Sequence, residues 1–348
     1  MRCSISENEP CGQKCRHHNI EDSSKQKQAL NYEAHIQFEN FLKKYEKNYK
    51  NETERTRRFK IFRANLQKIR SLNELEQGTA VYGINQFADL TKSEFQKYFL
   101  GLKQKAVEEN DISNTVKDEK KITIPTISLP PEFDWRNYNV VTPIKNQGMC
   151  GSCWAFSVTG NVEGQWSIKH NKLLSFSEQE LIDCDKIDSG CKGGYMTDGY
   201  KAIEELGGLE LESDYPYTAE DEKCSFTKNK VKAKISGSVN ITSNETEMAN
   251  WLVKHGPISI AINANAMQFY FGGVSHPLKF LCNPKDLNHG VLLVGYGVHK
   301  TKFTKKILPY WIVKNSWGKF WGEQGYYRVY RGAGVCGLNN MATSAFVL

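Results

Sequence analysis

Seven cysteines lie between Cys150 and Cys336, and an odd number cannot all pair. They are Cys150, Cys153, Cys184, Cys191, Cys224, Cys282 and Cys336; six can close three bridges, which leaves one thiol over. Bridges between distant segments belong to oxidising compartments, and a leftover cysteine in such a chain is a candidate reactive group. Three more, Cys3, Cys11 and Cys15, sit in a polar N-terminal stretch. Sequons at Asn51, Asn240 and Asn244 suit an exported protein. Yet residues 1–27 lack the apolar run of a secretory signal. The spacing of Cys11, Cys15, His17 and His18 fits no common zinc finger, so that stretch reads as a floppy leader and no metal site is expected.

A chain of 348 residues makes two or three domains at roughly 100–200 residues each. The net charge of +7 is scattered, with no basic run beside aromatics, so nucleic acid is not an expected partner. No stretch approaches the ~18 consecutive apolar residues of a membrane span.

Along the chain the text changes character three times. Residues 1–30 are polar and aperiodic and read as a disordered leader. Residues 31–100 read as a helical domain. Tyr32, Ile36, Phe38, Phe41, Leu42 and Tyr45 suit a first amphipathic helix, and Phe59, Phe62, Leu66 and Ile69 step at helical spacing in a second, from about Glu52 to Leu75. Glu54, Arg58, Phe62, Asn65, Ile69 and Asn73 share one face of that helix; polar residues threaded through an apolar stripe need partners. Asp89 and Thr91 can cap a third helix near Ser93, with Glu94 in its first turn. Residues 101–128 are charged and polar, a protease-accessible linker. From Leu129 onward aromatics and glycines are dense. This part, 129–348, begins helical, with Trp154, Val158, Val162 and Trp166 four apart from about Ser152. It ends in short strand-like runs at Val291–Val294, Tyr310–Val313 and Tyr326–Tyr330. The expected class is α+β in two halves, with a site in the cleft between them.

The stretch from Gln147 to Trp154 carries the chemistry. A cysteine attacks as thiolate and needs a lowered pKa. Cys153 sits at the expected helix start, where the free N–H groups favour negative charge. On its own it could equally be one more bridging cysteine. Far downstream, His289 precedes an apolar strand and Asn315 follows the next one. Adjacent strands would bring the two together, and the Asn315 carbonyl could hold one imidazole N–H so that the other nitrogen faces a thiol. Trp317 could cover that bond.

With these motifs on the page, the chain resembles the papain family of cysteine peptidases, and within it the cathepsin L-like precursors, from about Tyr32 to the C-terminus. Cys150-Gly-Ser-Cys153-Trp154 is a known signature of that family. The resemblance implies a papain-like fold, a helical left half and a β-barrel-like right half, preceded by a helical inhibitory propeptide. It implies Cys153 as nucleophile, His289 as base, Asn315 as its orienter, and Gln147 with the Cys153 N–H as oxyanion donors. The six-residue face from Glu54 matches the family's ERFNIN motif, and Gly83, Asn85, Phe87 and Asp89 match its second propeptide motif. Such propeptides cross the cleft in the reverse direction to substrate. The implied bridges are Cys150–Cys191, Cys184–Cys224 and Cys282–Cys336. Gly193 and Gly194 correspond to the glycines that pair with substrate backbone. Tyr195, Met196, Ala261, Leu287, Gly290 and Met341 correspond to the lining of the pocket for P2, the second substrate residue before the cut. Lys192 replaces an asparagine common beside those glycines.

The implied activity is endoproteolysis of protein and peptide substrates after acid removal of the propeptide. Carboxylates on the propeptide face, Glu54 and Asp89, are the expected acid-sensitive groups, acting at or below roughly pH 5. Further implied are the chain's own propeptide and cystatin-type proteins as inhibitors, a monomer, no cofactor, and a lysosomal or extracellular location. A catalytically silent binding protein is disfavoured by the intact set of four residues. A metal-dependent hydrolase is disfavoured by the lack of a His-Glu-x-x-His motif. An exopeptidase is disfavoured by the lack of a long insertion between Cys184 and Tyr217.

Overall fold

The computed structural model describes residues 12–103, 127–301 and 305–348, with side chains from residue 28 onward. Cys3 and Cys11 lie outside the described residues, as do the side chains of Cys15, His17 and His18 and most of the expected linker. The chain divides into two compact units, one ending at Asn65 and one running from Leu66 to Leu348.

The first unit holds helix α1 (Gly12–Lys44) and the opening turns of α2 (Glu52–Leu75). Helix α1 reaches back into the stretch read as a disordered leader; no Pro or Gly follows Gly12 to stop it. Its core is aromatic. The Phe62 ring lies 5.2 Å from Phe38 and 5.1 Å from Phe41, and His35 stacks on Phe59 at 3.8 Å. Asn51 caps α2 by accepting the Glu54 N–H at 2.9 Å, and Glu54 pairs with Arg58 at 3.7 Å. Asn65 is buried.

The second unit starts with the end of α2, a short strand β1 (Val81–Tyr82) and helix α3 (Lys92–Phe99). Of the two expected capping residues Thr91 caps α3, and Glu94, in the first turn as expected, returns a bond to the Thr91 N–H, which makes the cap reciprocal. The remainder is β2 (Phe133–Asp134), α4 (Cys153–His170), α5 (Glu178–Cys184), α6 (Met196–Leu206), β3 (Ile235–Asn240), α7 (Glu245–His255), β4 (Ile258–Ile262), β5 (Tyr270–Gly272), β6 (Val274–Ser275), β7 (His289–Lys300), β8 (Ile307–Lys314), β9 (Tyr326–Tyr330) and β10 (Ala342–Val347). It is therefore helical first and sheet-rich second. Helices α4 to α6 enclose one apolar core with Trp154, Val158, Leu181 and Tyr200, while the sheet and α7 enclose another with Trp251, Leu293, Trp311 and Trp317.

The sheet order is β3-β10-β4-β7-β8-β9-β6, with β2 added beside β7. Strands β3 and β6 are left at opposite edges, so the β-rich half is an open sheet rather than a closed barrel. Strands β7 and β8 are antiparallel neighbours, with Leu292 opposite Lys314. That pairing sets the start of β7 beside the end of β8, where His289 and Asn315 stand. Among the described residues no helix is long and apolar enough to cross a membrane.

Candidate active site

Helix α4 begins at Cys153, and its N-cap Ser152 makes no side-chain cap bond. Its hydroxyl contacts Tyr217 instead. The free N–H groups of the first turn therefore surround the cysteine at the positive end of the helix. Cys153 is the free cysteine among the described residues; Cys150–Cys191, Cys184–Cys224 and Cys282–Cys336 are bridged. The Gly290 N–H points at the Cys153 sulfur across 3.4 Å, which sets the thiol beside the start of β7, where His289 stands.

His289 Nε2 donates to Asn315 Oδ1 at 2.8 Å, and Asn315 Oδ1 also accepts the Ser316 N–H at 2.8 Å. Trp317 stacks on the imidazole at 4.7 Å and covers that bond. The other ring nitrogen, Nδ1, is buried with no hydrogen-bond partner among the described residues. Ser316 Oγ donates to Gln147 Oε1 at 2.7 Å, which fixes the amide so that Nε2 points outward, toward Cys150 O at 2.9 Å and Phe99 O at 3.3 Å.

The segment Phe99–Lys103 lies over these groups. The Gly101 N–H donates toward Cys153 Sγ at 3.2 Å. Gly194 N–H donates to Gly101 O at 2.9 Å, Lys103 N–H donates to Gly194 O at 3.2 Å, and Leu102 pairs with Gly194 in parallel. A Cβ on Gly101 would lie 1.7 Å from the Gly151 carbonyl oxygen, so only glycine passes here. Leu102 is 7% exposed and packs in one cluster with Met196 and Ala261, flanked by Tyr195, Leu287 and Met341. Gly290, paired with Ala261, lets α4 approach, since a Cβ there would sit 3.2 Å from the Cys153 carbonyl oxygen.

Upstream, Asn85 Nδ2 donates to Gln268 O at 2.8 Å, and its Oδ1 accepts the Phe87 N–H at 3.0 Å. The Phe87 ring meets Trp317 edge-on at 5.4 Å, and Phe95 does so at 5.2 Å. Gly83 N–H donates to Phe269 O at 2.9 Å, and Asp89 is buried. Asn73 donates to Ile69 O and Tyr82 O and accepts the Tyr82 N–H, each at 2.9 Å, tying the end of α2 to β1; Ile69 is buried in the sheet core.

This cover changes the electrostatics. Cys153 and His289 are both 0% exposed. Burial pushes the Cys153 thiol up to about 11, against the lowering effect of the Gly290 and Gly101 N–H groups. Burial also pushes His289 down to about 4, with the Asn315 hydrogen bond opposing. The covered pair is therefore held neutral, thiol and imidazole.

Several groups here carry no sequence signal. Gly101 and Leu102 fall in the stretch read as linker. Behind Asn315 and Ser316 lies a buried set of charges: Lys145 donates to Glu163 at 2.9 Å and Glu178 at 2.7 Å, and Lys314 donates to Thr142 at 2.7 Å. In sequence these read as ordinary surface charges. Among the described residues, no group of three or more His, Cys, Asp or Glu side chains is arranged to hold a metal ion.

The sequence pattern of the papain family cysteine protease matches residues 129–346, and that of the cathepsin propeptide inhibitor domain (I29) matches residues 38–95. The chain is 52% identical over 317 residues to a Drosophila melanogaster protein named Cathepsin F, covering 88% of this chain and 50% of that one. It is 47% identical over 312 residues to Cathepsin F of Mus musculus, covering 89% and 64%. It thus spans half the length of the first relative and less than two thirds of the second. Among solved structures, the digestive procathepsin L2 proteinase from Tenebrio molitor larval midgut matches with a TM-score of 0.78 at 34% identity, over 90% of this chain and 99% of that one. The first of these patterns spans more than half of the chain, and the chain belongs to the papain family of cysteine proteases, with a cathepsin-type propeptide inhibitor domain before its protease domain.

Proposed function

We propose that this chain is the zymogen of a cysteine endopeptidase, in which Cys153, His289, Asn315 and Gln147 perform acyl transfer. The observation that carries the reading is the placement of Phe99–Lys103 over Cys153 in the manner of a reversed substrate. A peptide N–H, not a carbonyl carbon, faces the sulfur, so the covering segment offers nothing to attack. The Phe99 carbonyl sits on the Gln147 amide, where an oxyanion would be held.

Once the cover leaves, water restores the charged forms, and Cys153 Sγ passes its proton to His289 Nδ1. The thiolate attacks the scissile carbonyl carbon. Gln147 Nε2 and the Cys153 N–H hold the resulting oxyanion, a contribution of several kcal/mol in comparable sites, about 3–4. The imidazolium protonates the leaving amine. Water, deprotonated by the neutral imidazole, then attacks the thioester and frees the sulfur. Gly193 and Gly194 would pair with a substrate strand running opposite to Phe99–Lys103.

Leu102 supports an apolar P2 preference, because the space formed with Met196, Ala261 and Met341 already accepts a leucine. The residues packed with Leu102 in that cluster are apolar apart from the Tyr195 hydroxyl. A charged side chain there would lose water without gaining a partner.

Acid release finds support at His276. The segment Glu76–Gly83 lies along Phe269–His276: Thr79 N–H donates to Val274 O at 2.8 Å, and Glu76 accepts the His276 N–H at 2.6 Å. The His276 ring stacks on Tyr330 at 4.3 Å. Burial lowers its pKa, Glu76 opposes the shift and Lys306 adds to it. A half-buried histidine whose pKa is lowered contributes fully to the docked state above its ordinary value of about 6.5, and that contribution is lost as pH falls below it. A lysosomal or extracellular setting, a maturation point near Leu129 and inhibition by cystatin-type proteins complete the proposal.

The test is a peptide panel cleaved by acid-processed precursor, with Cys153→Ser as the blank. Leu, Phe or Val at P2 should give higher kcat/KM than Arg, and the blank should be inactive. Equal cleavage of the Arg peptides would remove the pocket assignment; an active Cys153→Ser variant would remove the nucleophile.

A further inference from the structure

The two oxyanion donors of the proposed site come from separate stretches of backbone, and one half-buried hydroxyl joins them. Tyr217 Oη donates to the Gln147 carbonyl oxygen at 2.7 Å. With its single proton used there, it accepts from Ser152 Oγ, 2.6 Å away, a shorter contact than that of the same Oγ with the Cys150 carbonyl oxygen at 3.4 Å. Gln147 carries the side-chain donor, and Ser152 immediately precedes Cys153, whose N–H is the other donor. The chain between them runs through Gly148, in left-handed conformation at φ +62°, and Gly151. Glycines leave that loop with little intrinsic stiffness. The Tyr217 ring is locked from both sides: it meets Phe156, in the first turn of α4, edge-on at 4.9 Å, and its own N–H donates to Glu212 at 3.0 Å.

We propose that Tyr217 is a positioning residue for the oxyanion site, acting through Gln147 and Ser152 and touching no reacting atom. The inference rests on the reading of Gln147 and the Cys153 N–H as oxyanion donors. Such donors act only when both lie about 2.7–3.1 Å from the point where charge develops, and a site left about 1 Å too loose loses much of its effect. A strut between the two segments therefore matters in the transition state and little in the bound ground state. Gln147 is braced on its other side by Ser316, through N–H to O at 2.8 Å and Oγ to Oε1 at 2.7 Å. Besides the Gln147 Nε2 bond to Cys150 O at 2.9 Å, Tyr217 links the Gln147 backbone to Ser152, the residue before the nucleophile.

The test is Tyr217→Phe in the full-length precursor, processed in acid. The ring and its packing stay and only the hydroxyl goes. Expected are a kcat lowered about tenfold, a KM within about twofold, and a matching loss of affinity for a peptide aldehyde. The aldehyde adds Cys153 S–H across its C=O; sulfur bonds to carbon, the proton ends on oxygen, and that oxygen occupies the oxyanion site. A merely structural tyrosine would lower the melting temperature or the active fraction, leaving kcat per active site and aldehyde affinity unchanged; that result overturns the proposal, as does a rise in KM alone. Should Tyr217→Phe fail to fold, Ser152→Ala removes one end of the strut and should show the same kcat-only pattern at smaller size; its absence overturns the proposal too. An active Cys153→Ser variant, by contrast, would refute the underlying function and not the strut.

Discussion

Two sets of buried ionisable groups lie near the same strand end; burial disfavours charge in both, but only one of them holds fixed counter-charges. At Lys145 burial opposes the charge, but Glu163 and Glu178 outweigh it and keep the ammonium strongly favoured. Burial likewise opposes the Glu163 charge, yet Lys145 and Lys314 hold that carboxyl below its usual range, whereas burial still pushes Glu178 up to about 7 and Lys314 down to about 8, so the counter-charges offset burial in part of the set. Just beyond Lys314, Cys153 and His289 are equally buried and have no fixed counter-charge, so both are driven neutral. Burial alone does not decide the protonation state; partners that remain in place do. The first set is built into the protease domain. The second is buried beneath Phe99–Lys103, which the proposed maturation would remove, so in that reading the cover acts on the chemistry as well as on access.

The largest expected effect is on the permanent set. Lys145→Met leaves two carboxylates buried with less compensation and should destabilise the protein by about 3–5 kcal/mol in urea unfolding of the Cys153→Ser precursor. A loss below about 1 kcal/mol would mean that water reaches the cluster and that the contrast is not one of partners.

Next is the cover. Gly101→Ala must push the segment off the Gly151 carbonyl, an overpacking cost of about 1–3 kcal/mol. The full-length precursor should then leak activity at pH 7, roughly ten- to a hundredfold above wild type. A precursor as silent as wild type would show that the close passage at Gly101 is not what holds the cover.

The smallest effect is on release. His276→Phe keeps a ring on Tyr330 but cannot take up a proton. The pH dependence of propeptide docking, followed by hydrogen exchange of the β1 amides in the Cys153→Ser precursor, should become shallower, by less than one proton, below pH 6.5. An unchanged slope would return the acid trigger to carboxylates such as Glu54 and Asp89.

Much of this was readable from residues in order. Phe59, Phe62, Leu66 and Ile69 announced α2 because one apolar face repeats at helical spacing, and Thr91 with Glu94 announced the start of α3 because a cap is a local device. The odd cysteine count singled out a free thiol, and strand runs flanking His289 and Asn315 made their meeting foreseeable. What stayed hidden depends on partners far away in sequence. Gly101 and Leu102 have no periodicity and gain meaning only against Gly151 and Gly194. Lys145, Glu163, Glu178 and Lys314 look like solvated charges until folding stacks them. Tyr217 and His276 are single residues whose roles come from what they touch. The barrel-like expectation missed the open edges at β3 and β6, because strand runs reveal pairing candidates but not closure.

The central claim, that Phe99–Lys103 both covers Cys153 and holds it neutral, is tested most directly by alkylation. Full-length precursor and acid-processed enzyme would be treated with iodoacetamide from pH 4 to 8, and the rate of labelling at Cys153 read by mass spectrometry. The account expects near-zero labelling of Cys153 in the precursor at pH 7, and fast labelling in the processed form that persists well below the ordinary thiol pKa of about 8.5. Equal rates at Cys153 in the two forms, or loss of activity with the label on another cysteine, would contradict it.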